Sequence, residues 1–321
     1  MQRDLPAPLE VLVGIDGQDD AASFLAASSF RPRAFSLRVL RLPRLGPGAT
    51  RNALAAHALA PLAWLLNDDV IPHPTAASRH LAAHADLARP ALVLGSAPWR
   101  IHLDDTAFDR LLRESSMIFF YHRMIDPDPS RDWGFRHAWS LNLSCPTRSL
   151  REHPFLEMPG HYGYDDLEFA FRAALPILFR PEAAVTHDHR LTPADYLHRE
   201  RALGRAAHAY ARANPAFASA LFQRNILDPL ALADLDARTT ADAPRLRDLA
   251  RWFHILAHLH PDHADLDEAY QRHLPLKRFA WAVGLLHAAD LPLDPVLTDP
   301  IFSPPQRPAD SSAYNACTAS P

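Results

Sequence analysis

Cysteine is almost missing from this chain: Cys145 and Cys317 are the two in 321 residues. Two thiols so far apart supply no disulfide framework and suggest a reducing compartment. Lysine is scarcer still, with Lys277 alone against a background of arginine, a bias read here as genomic base composition and not as a binding device. A net charge of −4 with His neutral leaves no overall basic field for nucleic acid or anionic lipid. No apolar run reaches the length of a membrane span and the N-terminus lacks a signal-peptide pattern, so a cytoplasmic, soluble protein is expected. There is no nucleophile elbow and no paired-Cys motif, which sets aside the corresponding hydrolase and zinc chemistry. Gly46-Pro47-Gly48 lacks the third glycine of a dinucleotide-binding fingerprint, which leaves a dehydrogenase little support.

What is present reads as a layered α/β protein. Hydrophobic content of 48% is ordinary for a globular chain of this length, enough for one large domain or one and a half. Short apolar runs at Leu9 to Ile15, Ser36 to Leu42, Ala91 to Gly95, His137 to Ser144 and Pro176 to Arg180 predict strands. Helical patterns fall between them at Ala21 to Ser28, Gly48 to Ala58, Pro74 to Leu87, Phe108 to Tyr121, Arg148 to His153 and Asp165 to Ala174. Such alternation argues for a largely parallel sheet flanked by helices. From Pro193 onward the pattern is helical and Ala-rich, over Tyr196 to Asn214, Ala243 to Leu259, Leu266 to His273 and Phe279 to Ala289. Beyond about Pro292 no packing stripe survives, and a disordered tail is expected. The expected organisation is a catalytic domain over 1–215, a helical extension over 216–290 and a Pro-rich tail over 291–321.

Three stretches carry chemistry. The apolar run Ala60 to Leu66 ends in Asn67-Asp68-Asp69 with Pro72 beyond, which puts two carboxylates at the carboxyl end of a strand, where open α/β sheets bind ligands. Adjacent acids repel, and a hard divalent cation that also meets phosphate oxygens is their natural partner; a solvated turn is the plainer alternative. Next, Gly160-His161-Tyr162-Gly163-Tyr164 delivers Asp165, Asp166 and Glu168 to the first turn of a helix. The dipole and free N–H groups there favour an ionised carboxylate suited to general-base work, although simple capping would look the same. Third, in Val185-Thr186-His187-Asp188-His189 an extended backbone would turn both imidazoles to one side. The group His254, His258, His260 and His263 lacks accompanying carboxylates and reads as a solvated face.

In their order along residues 5–215 these pieces resemble glycosyltransferase family 2, the inverting nucleotide-sugar transferases of GT-A fold, Rossmann-like with a mixed, mostly parallel sheet. Val11 to Asp20 looks like the family's strand and acidic turn, Gly48-Ala49-Thr50-Arg51-Asn52 its helix start beside the diphosphate, and Asn67-Asp68-Asp69 its Asp-x-Asp motif. Ser140-Leu141-Asn142-Leu143-Ser144 is similar to its acceptor-side strand, and Tyr164 to Glu168 to its acidic pair. The resemblance implies Asp166 as catalytic base and Asp16, Arg51 and Asp68 as nucleotide contacts. It further implies a Mn²⁺ or Mg²⁺ on Asp69 with His189 or His187, and Asn142 and Asp165 on the acceptor side. A UDP- or GDP-sugar would be the donor, and a saccharide, a lipid-linked molecule or a protein the acceptor, as in cell-surface polysaccharide synthesis. No nucleic acid is implied, and peripheral membrane association stays open. Ile15 stands where the family has a first acid. Members also open with a strand and helix before the segment matching Leu9 to Asp20, so a start set too far downstream, or a damaged copy, is expected. That absence keeps a second reading open, a silent nucleotide-sugar-binding or scaffold protein. Residues 216–290, with Trp252, Phe253, Phe279 and Trp281, read either as a docking module or as core.

Overall fold

The computed structural model describes residues 8–17, 35–126, 128–291, 294, 297, 301 and 302. The helix expected over Ala21 to Ser28 lies outside them, as does the tail beyond Phe302. β1 (Leu9–Asp16) pairs in parallel with β2 (Phe35–Leu42). A second sheet has the order β3 (Leu62–Leu66), β6 (Asn142–Pro146), β5 (Leu92–Gly95), β7 (Ile177–Arg180). β6 runs against both β3 and β5, while β7 is parallel to β5, so three of these four strands point one way. A third ladder joins β4 (Val70–Pro72) antiparallel to β8 (Val185–His187).

Helices cover these sheets: α1 (Pro47–His57), α2 (Ala76–Ala85), α3 (Ala107–Glu114), α4 (Thr147–Glu152) and α5 (Asp165–Ala173). α6 (Pro193–Ala213), α7 (Pro215–Phe222), α8 (Pro229–Ile255) and α9 (Leu266–Ala288) follow. β5 and most of β6 are wholly buried, whereas every apolar residue of β3 stays half-buried or exposed. Among the described residues β1 is joined to β2 alone and β3 to β6 alone. Both strands line one large cleft. Leu59, just before β3, donates its amide to Glu10 near the start of β1, and Asp16 at the end of β1 meets the start of α1.

Two predicted helices, Leu266 to His273 and Phe279 to Ala289, are one helix that passes through Pro275, and α8 likewise passes through Pro244. A proline deletes one ladder hydrogen bond and crowds the preceding turn. The buried stripe Leu276, Phe279, Ala280 and Val283 outweighs that cost. The strand expected from His137 begins only at Asn142, after a 3₁₀ turn at Phe135–His137. Its intended first residues are drawn into another bond, since Ser140 gives its amide to Asp166. The stretch expected to pack nothing contributes Leu297 and Phe302 to the core, both almost fully buried. Isolated apolar residues between prolines have no period to detect, yet each fills a hole, with Phe302 4.6 Å from the Phe279 ring. Phe253 and Phe279 are core residues too.

α6 and α9 cross at two glycines, which lets the helical extension pack on the helix that precedes it. A Cβ on Gly204 would lie 2.0 Å from the Trp281 carbonyl oxygen, and one on Gly284 would lie 2.0 Å from that of Arg201. Backbone cannot yield as a side-chain tip does. Gly204→Ala and Gly284→Ala are each expected to lower unfolding free energy in urea by about 3 kcal/mol, the upper end for overpacking. A loss below about 1 kcal/mol in both variants would contradict this close crossing.

Candidate functional site

The site begins at the carboxyl end of β3. Asp68 is exposed and lines the cleft, while Asp69 turns inward toward β8. The β4–β8 ladder sets Val70 opposite His187, which carries the two imidazoles to the acid. His187 Nε2 lies 3.3 Å and His189 Nδ1 3.5 Å from Asp69 Oδ2. The two rings stack with centroids 5.7 Å apart, and the Trp99 ring backs His187 at 4.2 Å. Burial works to raise the Asp69 carboxyl pKa, but His187 and His189 together hold it below the usual carboxylate range.

Among the described residues no group of three or more His, Cys, Asp or Glu side chains is arranged as a finished metal cage. What is arranged is partial. Asp69 Oδ1 and His187 Nδ1 are buried without a hydrogen-bond partner, and an orphaned carboxylate oxygen is costly unless a cation or donor meets it. The carboxylate oxygen suits Mn²⁺ or Mg²⁺ and the flanking imidazoles favour the softer Mn²⁺ of the two, the remaining ligands coming from phosphate or water. The residues fit such an ion.

The other half comes from the loop before α5. Tyr164, at the N-cap, adopts a left-handed backbone with φ 66°, a conformation that costs a non-glycine residue free energy and tends to persist at functional positions. Asp165 and Asp166 follow in the first turn and line the cleft. Asp166 Oδ2 accepts from the Ser140 amide at 3.1 Å and from its hydroxyl at 3.3 Å, and Oδ1 accepts from the Leu167 amide at 2.9 Å. Despite these donors the Asp166 pKa is pushed up to about 6, by burial first and then by the neighbouring Asp165 carboxylate. The helix dipole therefore does not dominate as the sequence suggested; desolvation does.

Arg51 unites the two halves. From the second turn of α1 its guanidinium grips the Asp165 carboxylate and reaches Asn67 Oδ1 at 3.3 Å. Asp68, Asp165 and Asp166 thus face one cleft of about 2160 Å³, larger than the roughly 300–1,000 Å³ of common small-molecule sites. Its far wall includes Leu246 and Trp281 of the helical extension. The Trp281 indole donates to the Tyr164 hydroxyl at 3.0 Å.

Two expected site residues do other work. Asp16 lines the cleft, but its carboxylate accepts from the amides of Leu45 at 2.6 Å and Gly46 at 2.9 Å, and so caps the start of α1. Asn142 is not an acceptor-side residue: it is completely buried and all its bonds are internal. Its amide donates to the Ser96 and Ala183 carbonyls, and its oxygen accepts from the Trp64 indole at 2.8 Å and from His80 Nε2 at 2.9 Å. That fixes the protons of a relay. His80 Nδ1 must accept from the Ser144 hydroxyl, whose oxygen accepts from His84 Nε2. Gly95 permits this approach, since a Cβ there would lie 2.3 Å from the Asn142 amide nitrogen. Sequence reading passed over this network, although His80 and His84 stand one helical turn apart on α2, a spacing that could have flagged it.

The network has a pH consequence. Burial lowers the His80 pKa from 6.5 to about 4, so between those values the unfolded chain takes up the proton that the folded one refuses. Stability is then complete above pH 6.5 and falls as pH drops toward 4, by about 3 kcal/mol at most from this one group. Urea midpoints at pH 7 and pH 4.5 should differ, and His80→Gln should flatten part of that slope. Equal slopes in both proteins would remove His80 from the account.

Residues 2–138 match the family model described as Glycosyl transferase family 2, and the architecture is the mixed α/β type expected from the sequence. Among solved structures, S. aureus TarS 1–349 in complex with UDP-GlcNAc is similar at 13% identity. The alignment covers 88% of this chain and 83% of that one, with a TM-score of 0.42. The mannosyltransferase PcManGT from Pyrobaculum calidifontis, in complex with GDP-Man and Mn²⁺, is similar at 16% identity, 86% and 77% coverage and a TM-score of 0.49. A search of curated proteins finds no match.

Proposed function

Because residues 2–138 match the model of glycosyl transferase family 2, whose work is glycosyl transfer, we propose that this protein moves a sugar from a nucleotide-diphosphate donor to an acceptor hydroxyl with inversion. A UDP- or GDP-sugar is the donor and a saccharide, a lipid-linked molecule or a protein the acceptor. The observation that carries the reading is the shared cleft: Asp166 opens into the space that Asp68 lines, and Arg51 ties the two loops together. Asp166 takes the proton from the acceptor oxygen as that oxygen attacks the anomeric carbon. Its pKa of about 6 keeps it mostly ionised at neutral pH and still basic enough to accept a proton. No covalent sugar–enzyme intermediate is needed.

Asp68 sits where it can hold the donor's ribose, and Arg51 is near enough to the strand end to meet a phosphate. Asp69, with His189 or His187, would hold Mn²⁺ or Mg²⁺, which when bound offsets charge on the leaving diphosphate. Asp16 acts on the nucleotide indirectly, by fixing the loop and the start of α1. Residues 1–215 carry the chemistry and 216–290 close the cleft wall. Among the described residues no helix is long and apolar enough to cross a membrane; a cytoplasmic location, where nucleotide sugars are made, belongs to the proposal. The alternative is a silent nucleotide-sugar-binding protein, favoured by the capping engagement of both Asp16 oxygens.

Hydrolysis of UDP-GlcNAc and GDP-mannose, with and without Mn²⁺, separates the two. Asp166→Asn should reduce turnover by about 10²–10⁴-fold and leave the Mn²⁺-dependent thermal shift by UDP or GDP in place. Protonation silences a base, so kcat/KM should fall as pH drops below about 6, the Asp166 value. Full activity in Asp166→Asn excludes the assignment; nucleotide binding with no turnover on either donor favours the silent protein. Asp69→Ala should abolish the Mn²⁺ requirement of nucleotide binding, together with most of the affinity.

A further inference from the structure

The one lysine of the chain stands in the wall of the cleft. Every other cation of fixed charge is an arginine, yet α9 places Lys277 there, half-buried, its ammonium donating to the Met117 carbonyl at 2.7 Å. Arg199 of α6 lines the same wall. Its guanidinium donates to the Glu200 carboxylate at 2.7 Å and lies 5.9 Å from the centre of the Tyr162 ring. Glu200 is buried, and it is the one carboxylate that acts on both cations. Two positive charges thus share a single negative one. Burial pushes the Lys277 pKa below its ordinary value although Glu200 pulls the other way, as happens to an ammonium with too little negative charge beside it. Further along the wall, Arg245 of α8 and Arg278 of α9 are exposed and form no ion pair among the described residues. Arg238 is held by Asp234, which leaves Asp242 as the acid on this face of α8. In a chain of net charge −4 this wall is a local positive surplus.

We propose, on the reading of Asp166 as the base of a glycosyl transfer, that this wall is the acceptor subsite. The acceptor it takes carries an oxyanion, a phosphate or a carboxylate, which pairs with Lys277 and Arg199. The loop that delivers Asp166 shows the path. At its start it rests on the wall: Arg199 lies over Tyr162, Leu203 of α6 packs against Gly163, and the Trp281 indole of α9 donates to the Tyr164 hydroxyl. At its helix end Asp165 is held by Arg51. The donor's phosphates belong, in the reading above, with Arg51 and Asp69, so the acceptor hydroxyl comes to Asp166 from the side of α6 and α9. Partly desolvated cations are costly unless a counter-charge meets them. A neutral sugar would take the water from Lys277 and return nothing; an oxyanion supplies the missing charge. The compact ammonium meets it as a point charge, and Arg199 adds planar N–H donors.

Calorimetric titration of the full chain tests this, with Mn²⁺ and UDP or GDP at saturation and ionic strength held constant. The probes are glycerol 3-phosphate against glycerol, and glucuronate against glucose. One oxyanion should bind at least about tenfold more tightly than its uncharged counterpart, as a charge-assisted hydrogen bond gives, and the one that does so assigns the group. Lys277→Met should weaken that binding about tenfold and leave the nucleotide affinity within about twofold of wild type. Should Lys277→Met fold poorly, the exposed double variant Arg245→Gln/Arg278→Gln carries the test, with a loss of about threefold from two solvent-screened contacts. Oxyanions that bind no better than glycerol and glucose overturn the proposal, as does an affinity that the variants leave unchanged. Binding that occurs only without nucleotide and Mn²⁺ belongs to the donor's diphosphate site and overturns it too. Failure of the transferase reading shows separately, as absence of turnover of UDP-GlcNAc and GDP-mannose. The titration needs no turnover and still decides whether the wall takes an oxyanion.

Discussion

The contact on which the arrangement of this site depends is the Arg51 guanidinium between Asp165 and Asn67. It links a loop that leads into α5 with the end of β3, segments about a hundred residues apart in sequence. A partly buried ion pair contributes modestly to net stability, because desolvation of both charges offsets most of their attraction. Its value here is geometric. Removing Arg51 would leave Asp165 uncompensated beside Asp166, and two adjacent carboxylates in a sheltered cleft cannot both stay ionised. The same cation therefore fixes where the acids sit and keeps Asp166 from taking up a proton at neutral pH.

Around that link the two acidic centres are treated oppositely. Asp69 is buried against imidazoles and kept below the ordinary carboxylate range, as would suit the proposed ligand of a cation. Asp166 is pushed upward by burial and by its neighbour, as would suit the base proposed above. Environments that drive two carboxylates apart in acidity are a recurring sign of divided acid–base labour. The strained backbone of Tyr164, anchored by the Trp281 indole, shows that the C-terminal helices take part in holding the acidic loop in place.

The placement of the candidate residues was legible where they stand as adjacent letters. The pair Asp68-Asp69, the His187-x-His189 alternation and the acids after Gly163 lead to one region of the molecule, because strand ends and helix starts position their own residues. Sequence reading failed where a residue's work depends on partners distant in the chain. Asn142 lies in a stretch that looked like an acceptor-side motif, yet its burial among Trp64, His80 and two carbonyls makes it a structural hub. Asp16 was legible as an acid in a turn, but not as the cap of a helix thirty residues later. Pro275 looked like a break because local propensity was weighed without the packing that overrides it.

One feature of the sheets reaches beyond the site. β1 and β3 both line a common opening, and among the described residues each has a ladder on one side. Free amides and carbonyls on such borders are templates for any extended chain of suitable polarity. Glu10 guards the entrance to β1, where its carboxylate takes the Arg38 guanidinium and the Leu59 amide; β3 has no charged residue along its length. Among the described residues that border of β3 is unpaired and uncharged, and self-association through it is expected to rise with protein concentration.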